Sequence, residues 1–233
     1  MIGEIMDSPD IEEGALREAL EGLQRINHLS ETVEHILRPI EELAGRAHLN
    51  RISLLDIACG GGDVPIGIAK SAREFGVQVE LTLMDRNSTA LLHASQAAAE
   101  ERIVCRCVQG DALSALPGNT FDVVTNSLFL HHVPTADEVI DLLRNLRGSA
   151  RRMVVISDLR RSRLGLAGAW AGCMLLSESE IVRHDGPASV RAAWTVGELT
   201  DMAARAGMDQ AQICRCWPWR MLLIWERGNG AGA

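Results

Sequence analysis

An open α/β sheet of seven strands, parallel except at one end, is the fold class this sequence predicts, and three observations predict it. From Ile52 onward, apolar runs of strand length alternate with longer segments of helical periodicity, the pattern of a mainly parallel sheet. The first run, Leu54-Leu55-Asp56-Ile57, breaks into Ala58-Cys59-Gly60-Gly61-Gly62-Asp63 and then into a helical pattern with an early proline, Pro65. The last two runs, Gln210 to Cys216 and Arg220 to Glu226, are joined only by Trp217-Pro218-Trp219, so they pair as an antiparallel hairpin.

Bulk composition narrows the classes. A chain of 233 residues builds one well-packed α/β domain with little left for a second. Its 47% hydrophobic and 23% charged content is that of a soluble globular protein. A net charge of −8 argues against nucleic acid as a partner, since phosphate binding needs a concentrated basic face. The one arginine-rich region, Arg144 to Arg163, is spread over a helix end, a strand and a loop. Six cysteines include two C-x-C pairs (Cys105 and Cys107, Cys214 and Cys216), neither with zinc-site spacing, so no metal is expected. With no signal peptide read at the start, the thiols are expected to be reduced and the location cytoplasmic. Leu164 to Leu176, the longest apolar stretch, falls short of the ~20 residues of a membrane span.

Residues 1–50 read as a helical extension. Ser8-Pro9 marks a helix start, Leu16, Leu20 and Leu23 recur at helical spacing, and Ser30-Glu31-Thr32-Val33 opens a second helix in which Pro39 is a kink or break. His28 and His35 read as surface or packing residues. The main domain, 51–227, then follows. Gln78 to Met84 is its second strand, with Asp85-Arg86 at the end and Ser88 as a helix cap. Thr89 to Glu101 is a helix, Ile103 to Val108 a strand, Phe121 to Asn126 a central strand, Ala136 to Leu146 a helix, and Arg152 to Ser157 the fifth strand. Between about 160 and 193 lies an insertion where a minimal fold needs a short loop. It holds an apolar helix, Leu164 to Leu176, a polar break at Ser177 to Glu180, and a connector with a Gly186-Pro187 turn. Thr195-Val196-Gly197-Glu198 is a capping box opening the last helix, and 228–233 reads as a disordered tail.

The glycine turn sits between a strand and a helix start, where backbone can approach a ligand and helix N–H groups favour an anion. The dinucleotide fingerprint does not fit, because the third glycine of G-x-G-x-x-G falls on Pro65. Asp85, one strand–helix unit later, suits the two hydroxyls of a ribose, in a nicotinamide cofactor or another adenosyl ligand.

Taken together, Asp56-Ile57-Ala58-Cys59-Gly60-Gly61-Gly62, Asp85, Gly110-Asp111-Ala112 and Phe121-Asp122-Val123-Val124 leading to His131-His132 resemble the class I S-adenosylmethionine (SAM) methyltransferases, over roughly residues 50–226. The resemblance implies a Rossmann-like sheet with SAM across its first four strands. Asp56 would lie near the methionine amino group, with Ala58, Gly60 and Gly62 lining the cofactor. Ala58 stands where a glycine is usual, which asks for a slightly wider turn. Asp85 and Arg86 would take the ribose, Asp111 and Ala112 the adenine, and Asn126 and Ser127 would flank the methyl donor. Asp158-Leu159-x-Arg161-Ser162 and Arg183-His184-Asp185-Gly186-Pro187-x-Ser189-Val190 resemble a bacterial subgroup associated with phenolic, quinoid and polyketide metabolites.

Methyl transfer to a phenol oxygen also needs a base. His131, His132 and His184 are the candidates, each with a loop-shaping reading beside the catalytic one. Arg160, Arg183 and Arg191 are candidates for holding an anionic acceptor, or for a salt-bridged loop. The insertion is expected to serve as a substrate lid, and the N-terminal helices or the insertion as a homodimer contact. Two rivals stand beside a small-molecule methyltransferase: a nicotinamide oxidoreductase, which would lack the Gly110-Asp111-Ala112 motif and the hairpin, and a non-catalytic binding or partner subunit of the same fold.

Overall fold

A computed structural model describes residues 12–176 and 180–228. The Ser8-Pro9 helix start, most of the polar break after Leu176 and most of the tail lie outside them. Seven strands form one sheet in the order β3-β2-β1-β4-β5-β7-β6. These are β1 (Arg51–Ile57), β2 (Gln78–Asp85), β3 (Cys105–Gln109), β4 (Phe121–Ser127), β5 (Ala150–Leu159), β6 (Gln212–Cys216) and β7 (Arg220–Glu226). The first five pair in parallel, and β7 runs antiparallel to both β5 and β6, as the hairpin requires.

Helices α1 (Glu13–Leu29), α2 (Thr32–Ala47), α3 (Asp63–Ala72), α4 (Ser88–Glu100) and α5 (Ala136–Ser149) precede α6 (Arg163–Leu176), α7 (Glu180–Ala192) and α8 (Val196–Arg205). On one face of the sheet, Ile36 and Ile40 of α2, Ile68 of α3 and Ala94 of α4 pack on Leu54, Leu83 and Val155. On the other, Leu143 and Leu146 of α5 and Met202 of α8 pack on Leu55, Val124 and Val154. Both faces of β1 and β4 are therefore covered, which explains their near-continuous apolar character. Helix α1 stands apart from these layers and lies over the carboxyl ends of the strands, with Leu20 beside the glycine turn.

Local expectations fail in three places, each for a physical reason. Pro39 lies inside an unbroken α2, where it and its neighbour Ile40 are buried against the sheet. Asn87, not Ser88, caps α4, its side-chain oxygen accepting from the amides of Thr89 and Ala90. The Gly186-Pro187 turn does not form: both residues are helical within α7. A Cβ on Gly186 would come within 2.3 Å of the Cys173 sulfur, so close packing of α7 on α6 overrides the local turn preference.

Candidate functional site

The glycine turn after β1 is tight. Ala58 has φ 49°, Gly60 54° and Gly62 77°, three left-handed positions in five residues. The turn is therefore not widened for Ala58. The alanine itself takes the conformation a glycine would take, at a backbone cost of about 1 kcal/mol. A Cβ on Gly62 would lie 2.9 Å from the Ala94 methyl group, so that glycine is required both by conformation and by space. Asp85 closes the turn from the neighbouring strand. Its two oxygens accept from the amides of Gly60 (2.8 Å) and Asn87 (2.9 Å).

At the ends of β1 and β4, Asp56 and Asn126 are fully buried. The Thr125 hydroxyl donates to Asp56 Oδ2 at 2.6 Å, and the Asn126 amide group donates to the Ile57 carbonyl at 2.9 Å. Asp56 Oδ1 and Asn126 Oδ1 are buried without hydrogen-bond partners. Burial pushes the Asp56 carboxyl up to about 8, against the Thr125 hydrogen bond and with help from the charges of Asp63 and Asp85.

These elements open onto a cavity of about 1200 Å³. Ala58, Gly60, Asp85 and Arg86 line one part of it, followed by Asp111, Ala112 and Ser127. Asp56, Gly62 and Asn126 stand behind that wall. The opposite part is apolar, walled by Leu23 and Ile26 of α1, Gly168 and Cys173 of α6, Val182 of α7, and Trp217 and Trp219. The two indole rings are 6.1 Å apart. Gly168 makes room for one of them, since a Cβ there would fall 2.1 Å from the Trp219 ring.

His131 and His132 both line the cavity. Their environments differ. His131 is 4% exposed and its Nδ1 lies 2.6 Å from Asp158 Oδ1. Asp158 also accepts from the amides of Leu130 (2.6 Å) and Leu159 (2.5 Å), and Trp194 Nε1 donates to the Leu130 carbonyl at 3.1 Å. Burial alone would raise the Asp158 carboxyl, but His131, the Leu159 amide and His132 outweigh it and hold the group below the usual carboxylate range. His132 stacks on Phe129 and is tilted against His131, with ring centroids 6.0 and 4.4 Å away.

His184, Arg160, Arg183 and Arg191 do not line this cavity. The side chain of His184 is 49% exposed on α7 and contacts its neighbour Asp185 at 2.8 Å, while Asp185 is buried at the cavity wall. Helical geometry explains the separation: consecutive residues on α7 point about 100° apart, so only one of the two faces inward. Three further cavity residues escaped the sequence reading of the site, Asn27, Asp63 and Arg220, while Asp158 stands behind His131 and outside the lining. Asp158 carried a signal, as an acidic residue at the carboxyl end of a parallel strand. Asn27 has none, because an Asn on a helix signals nothing without its partners. Its amide donates to Asp63 Oδ2 at 3.0 Å and its oxygen accepts from Arg220 Nη2 at 3.0 Å. Among the described residues, no group of three or more histidine, cysteine or acidic side chains is placed to hold a metal.

Residues 54–151 match a family described as a methyltransferase domain. Magnesium protoporphyrin IX methyltransferase from Synechocystis PCC 6803, solved with bound S-adenosylhomocysteine (SAH), shares the fold with a TM-score of 0.60 and 19% identity, over 91% of this chain and 86% of its own. Over residues 54–151 the chain is thus similar to methyltransferase domains, on a fold it shares with SAH-bound methyltransferases. The plantazolicin methyltransferase, solved in complex with a monoazolic desmethylPZN analogue and SAH, shares the fold with a TM-score of 0.68 and 15% identity, over 91% of this chain and 90% of its own. Among curated proteins, the ubiquinone biosynthesis O-methyltransferase of Psychrobacter arcticus is 26% identical over 162 residues, 69% of this chain and 60% of that protein. A ubiquinone/menaquinone biosynthesis C-methyltransferase of Rickettsia bellii is 27% identical over 92 residues, 38% of this chain and 37% of that protein. The chain thus covers less than two thirds of the length of either curated relative.

The residues of this site fit SAM on two counts. Gly60 and Gly61 leave the turn open, with only Leu20 of α1 within contact distance of where their side chains would stand. Asp63, Asp85 and Asp111 line the cavity, and acidic side chains complement a ligand that carries a sulfonium, an ammonium group and ribose hydroxyls.

Proposed function

We propose that this chain transfers the methyl group of SAM to a hydroxyl oxygen of a small phenolic or quinoid acceptor. The observation that carries the reading is the His131–Asp158 pair, buried in the wall of a cavity whose other end is apolar and aromatic. The names of the curated relatives, which include ubiquinone biosynthesis O-methyltransferases, support an acceptor of this class.

In this reading Asp85 and Arg86 take the ribose hydroxyls, Asp111 and Ala112 the adenine, and the turn from Ala58 to Gly62, with Asp56, Asn126 and Ser127, the methionine portion. SAM supplies a methyl group already activated on a sulfonium, so the chain chiefly has to align the acceptor and remove its proton. Asp158 fixes the His131 ring by its Nδ1 edge. Nε2 is then the nitrogen that takes the phenolic proton as the oxygen forms its new bond to carbon and the carbon–sulfur bond breaks. Asp158 stabilises the imidazolium that results. Helices α1, α6 and α7 act as the cover that keeps water from the acceptor, and the Trp217–Trp219 turn stacks against its ring.

The test is incubation of the protein with SAM and a panel of phenols and hydroquinones, reading methylated product and its position by mass spectrometry and NMR. An O-methyl product from wild type, lowered roughly 100-fold or more in His131→Ala with SAH affinity retained, is the expected result. A carbon-methylated product would replace the O-methyl assignment. SAH binding without any product would favour the non-catalytic subunit.

A further inference from the structure

Arg220 opens β7 and is 2% exposed, one of the largest fully buried side chains in the chain. Its neighbours use only part of its hydrogen-bonding capacity. Nη2 donates to Asn27 Oδ1 at 3.0 Å, and Nη1 is buried with no partner. Among the described residues no carboxylate forms an ion pair with it. Asp63 and Asp158 are near enough to be felt, yet burial still lowers the guanidinium to about 10, so it remains charged at neutral pH. A buried guanidinium without a directly paired carboxylate is costly to maintain, and such a group at a cavity wall, with an unsatisfied Nη1, marks a place for an anion.

The surroundings say which ligand would bring that anion. Arg220 lines the cavity together with Asn27 and Asp63. Asn27 stands between the other two, so the side toward the glycine turn presents the Asp63 carboxylate, and the guanidinium lies beyond it. In the sheet, β7 is separated from β1 by β4 and β5, about 14 Å at the usual strand spacing. Arg220 is next in sequence to Trp219 of the aromatic wall, and pairs across the sheet with Leu159, the neighbour of Asp158. It therefore adjoins both the acceptor end of the cavity and the strand that holds the histidine pair.

We propose that Arg220 anchors a carboxylate on the acceptor, so that the substrates are hydroxyaryl carboxylic acids held by their acid group at Arg220 and presenting a hydroxyl toward His131. This rests on the methyltransferase reading and narrows its substrate class. Bidentate pairing of guanidinium and carboxylate supplies orientation as well as affinity, and the anchor satisfies the orphaned Nη1 donor.

The experiment measures binding of 6-hydroxy-2-naphthoate and of its carboxamide to the SAH-loaded protein by calorimetry, with SAH binding measured separately for every variant. Wild type is expected to prefer the acid at least 10-fold. Arg220→Gln, which can still donate to Asn27, is expected to abolish that preference with SAH affinity within about twofold, and Arg220→Lys to restore part of it. Should Arg220→Gln fail to fold, the wild-type and Arg220→Lys preferences decide. Equal or absent binding of acid and amide in the SAH-loaded wild type overturns the anchor. So does a loss of SAH affinity in Arg220→Gln, which would assign the guanidinium to the carboxylate of the cofactor. Failure of wild type to bind SAH at all is a separate outcome, one that removes the methyltransferase reading and the anchor with it.

Discussion

The carboxylate of Asp85 accepts the amide N–H of Gly60 at 2.8 Å, so the end of β2 is tied to the turn that follows β1. Two motifs separated in sequence thereby form one rigid cradle. Asp85 has a structural duty as well as the proposed contact with ribose, and its removal would act on both.

Asp85→Ala is expected to weaken SAH binding roughly 100-fold, because two charge-assisted hydrogen bonds to the ribose are lost and the Gly60 turn is loosened. Asp85→Asn keeps one acceptor oxygen for Gly60 and is expected to lose less, roughly 10-fold. Calorimetric titration with SAH checks both. Unchanged affinity in the alanine variant would sink the ribose assignment.

Asp56 predicts a pH dependence whose sign follows from its burial. Its folded-state carboxyl sits at about 8, well above the value of about 3.9 in an unfolded chain. Between these values the folded protein holds a proton that the unfolded chain has released, so this group lowers stability as pH rises toward 8, by at most about 1.4 kcal/mol per pH unit. Urea midpoints of the SAM-free protein from pH 5 to 8.5 should therefore fall more steeply in wild type than in Asp56→Asn. Saturating SAM, whose positive charges favour the ionised carboxylate, should flatten the wild-type slope. Parallel slopes in wild type and variant would show that Asp56 titrates normally.

Gly168 separates acceptor effects from cofactor effects. Gly168→Ala puts a methyl group 2.1 Å from the present position of the Trp219 ring, which has to move. A stability loss of about 1–3 kcal/mol is expected from the overpacking, with a several-fold rise in acceptor KM and little change in SAH affinity. Equal damage to both ligands would mean that the indole does not wall the acceptor end.

The parts of this site that were legible in the sequence are those made by a few adjacent residues. The glycine turn, Asp85, the Gly110-Asp111-Ala112 turn and the hairpin each announce themselves locally, and the hairpin marks the antiparallel end of the sheet. Asn27 and Arg220 do not, being 193 residues apart in the chain and meaningful only as a contact. Arg183-His184-Asp185 illustrates the opposite failure. It concentrates reactive side chains, but on a helix, where neighbouring residues diverge, and only Asp185 of the three reaches the cavity. Gly186-Pro187 misled for a related reason, since its turn preference is weaker than the packing of α7 on α6.

That geometry sets up a comparison between His184, which is outside the cavity lining, and Asp158, which contacts His131. His184 points away from the cavity, so His184→Ala is expected to keep kcat within about twofold. Asp158 touches His131 and receives the amides of Leu130 and Leu159, so it acts as a positioning residue for the proposed base. Asp158→Asn nearly preserves shape but removes the charge that stabilises an imidazolium, and its amide nitrogen can no longer accept from these donors. A fall in kcat of roughly 100-fold or more is expected, with SAH affinity and acceptor KM changed far less, because neither ligand is bound through Asp158. A merely structural role would instead disturb binding and stability together and leave kcat of the folded fraction intact. Steady-state kinetics on the two variants decide the matter: loss of kcat at His184 with none at Asp158 would transfer the proton-accepting role to α7.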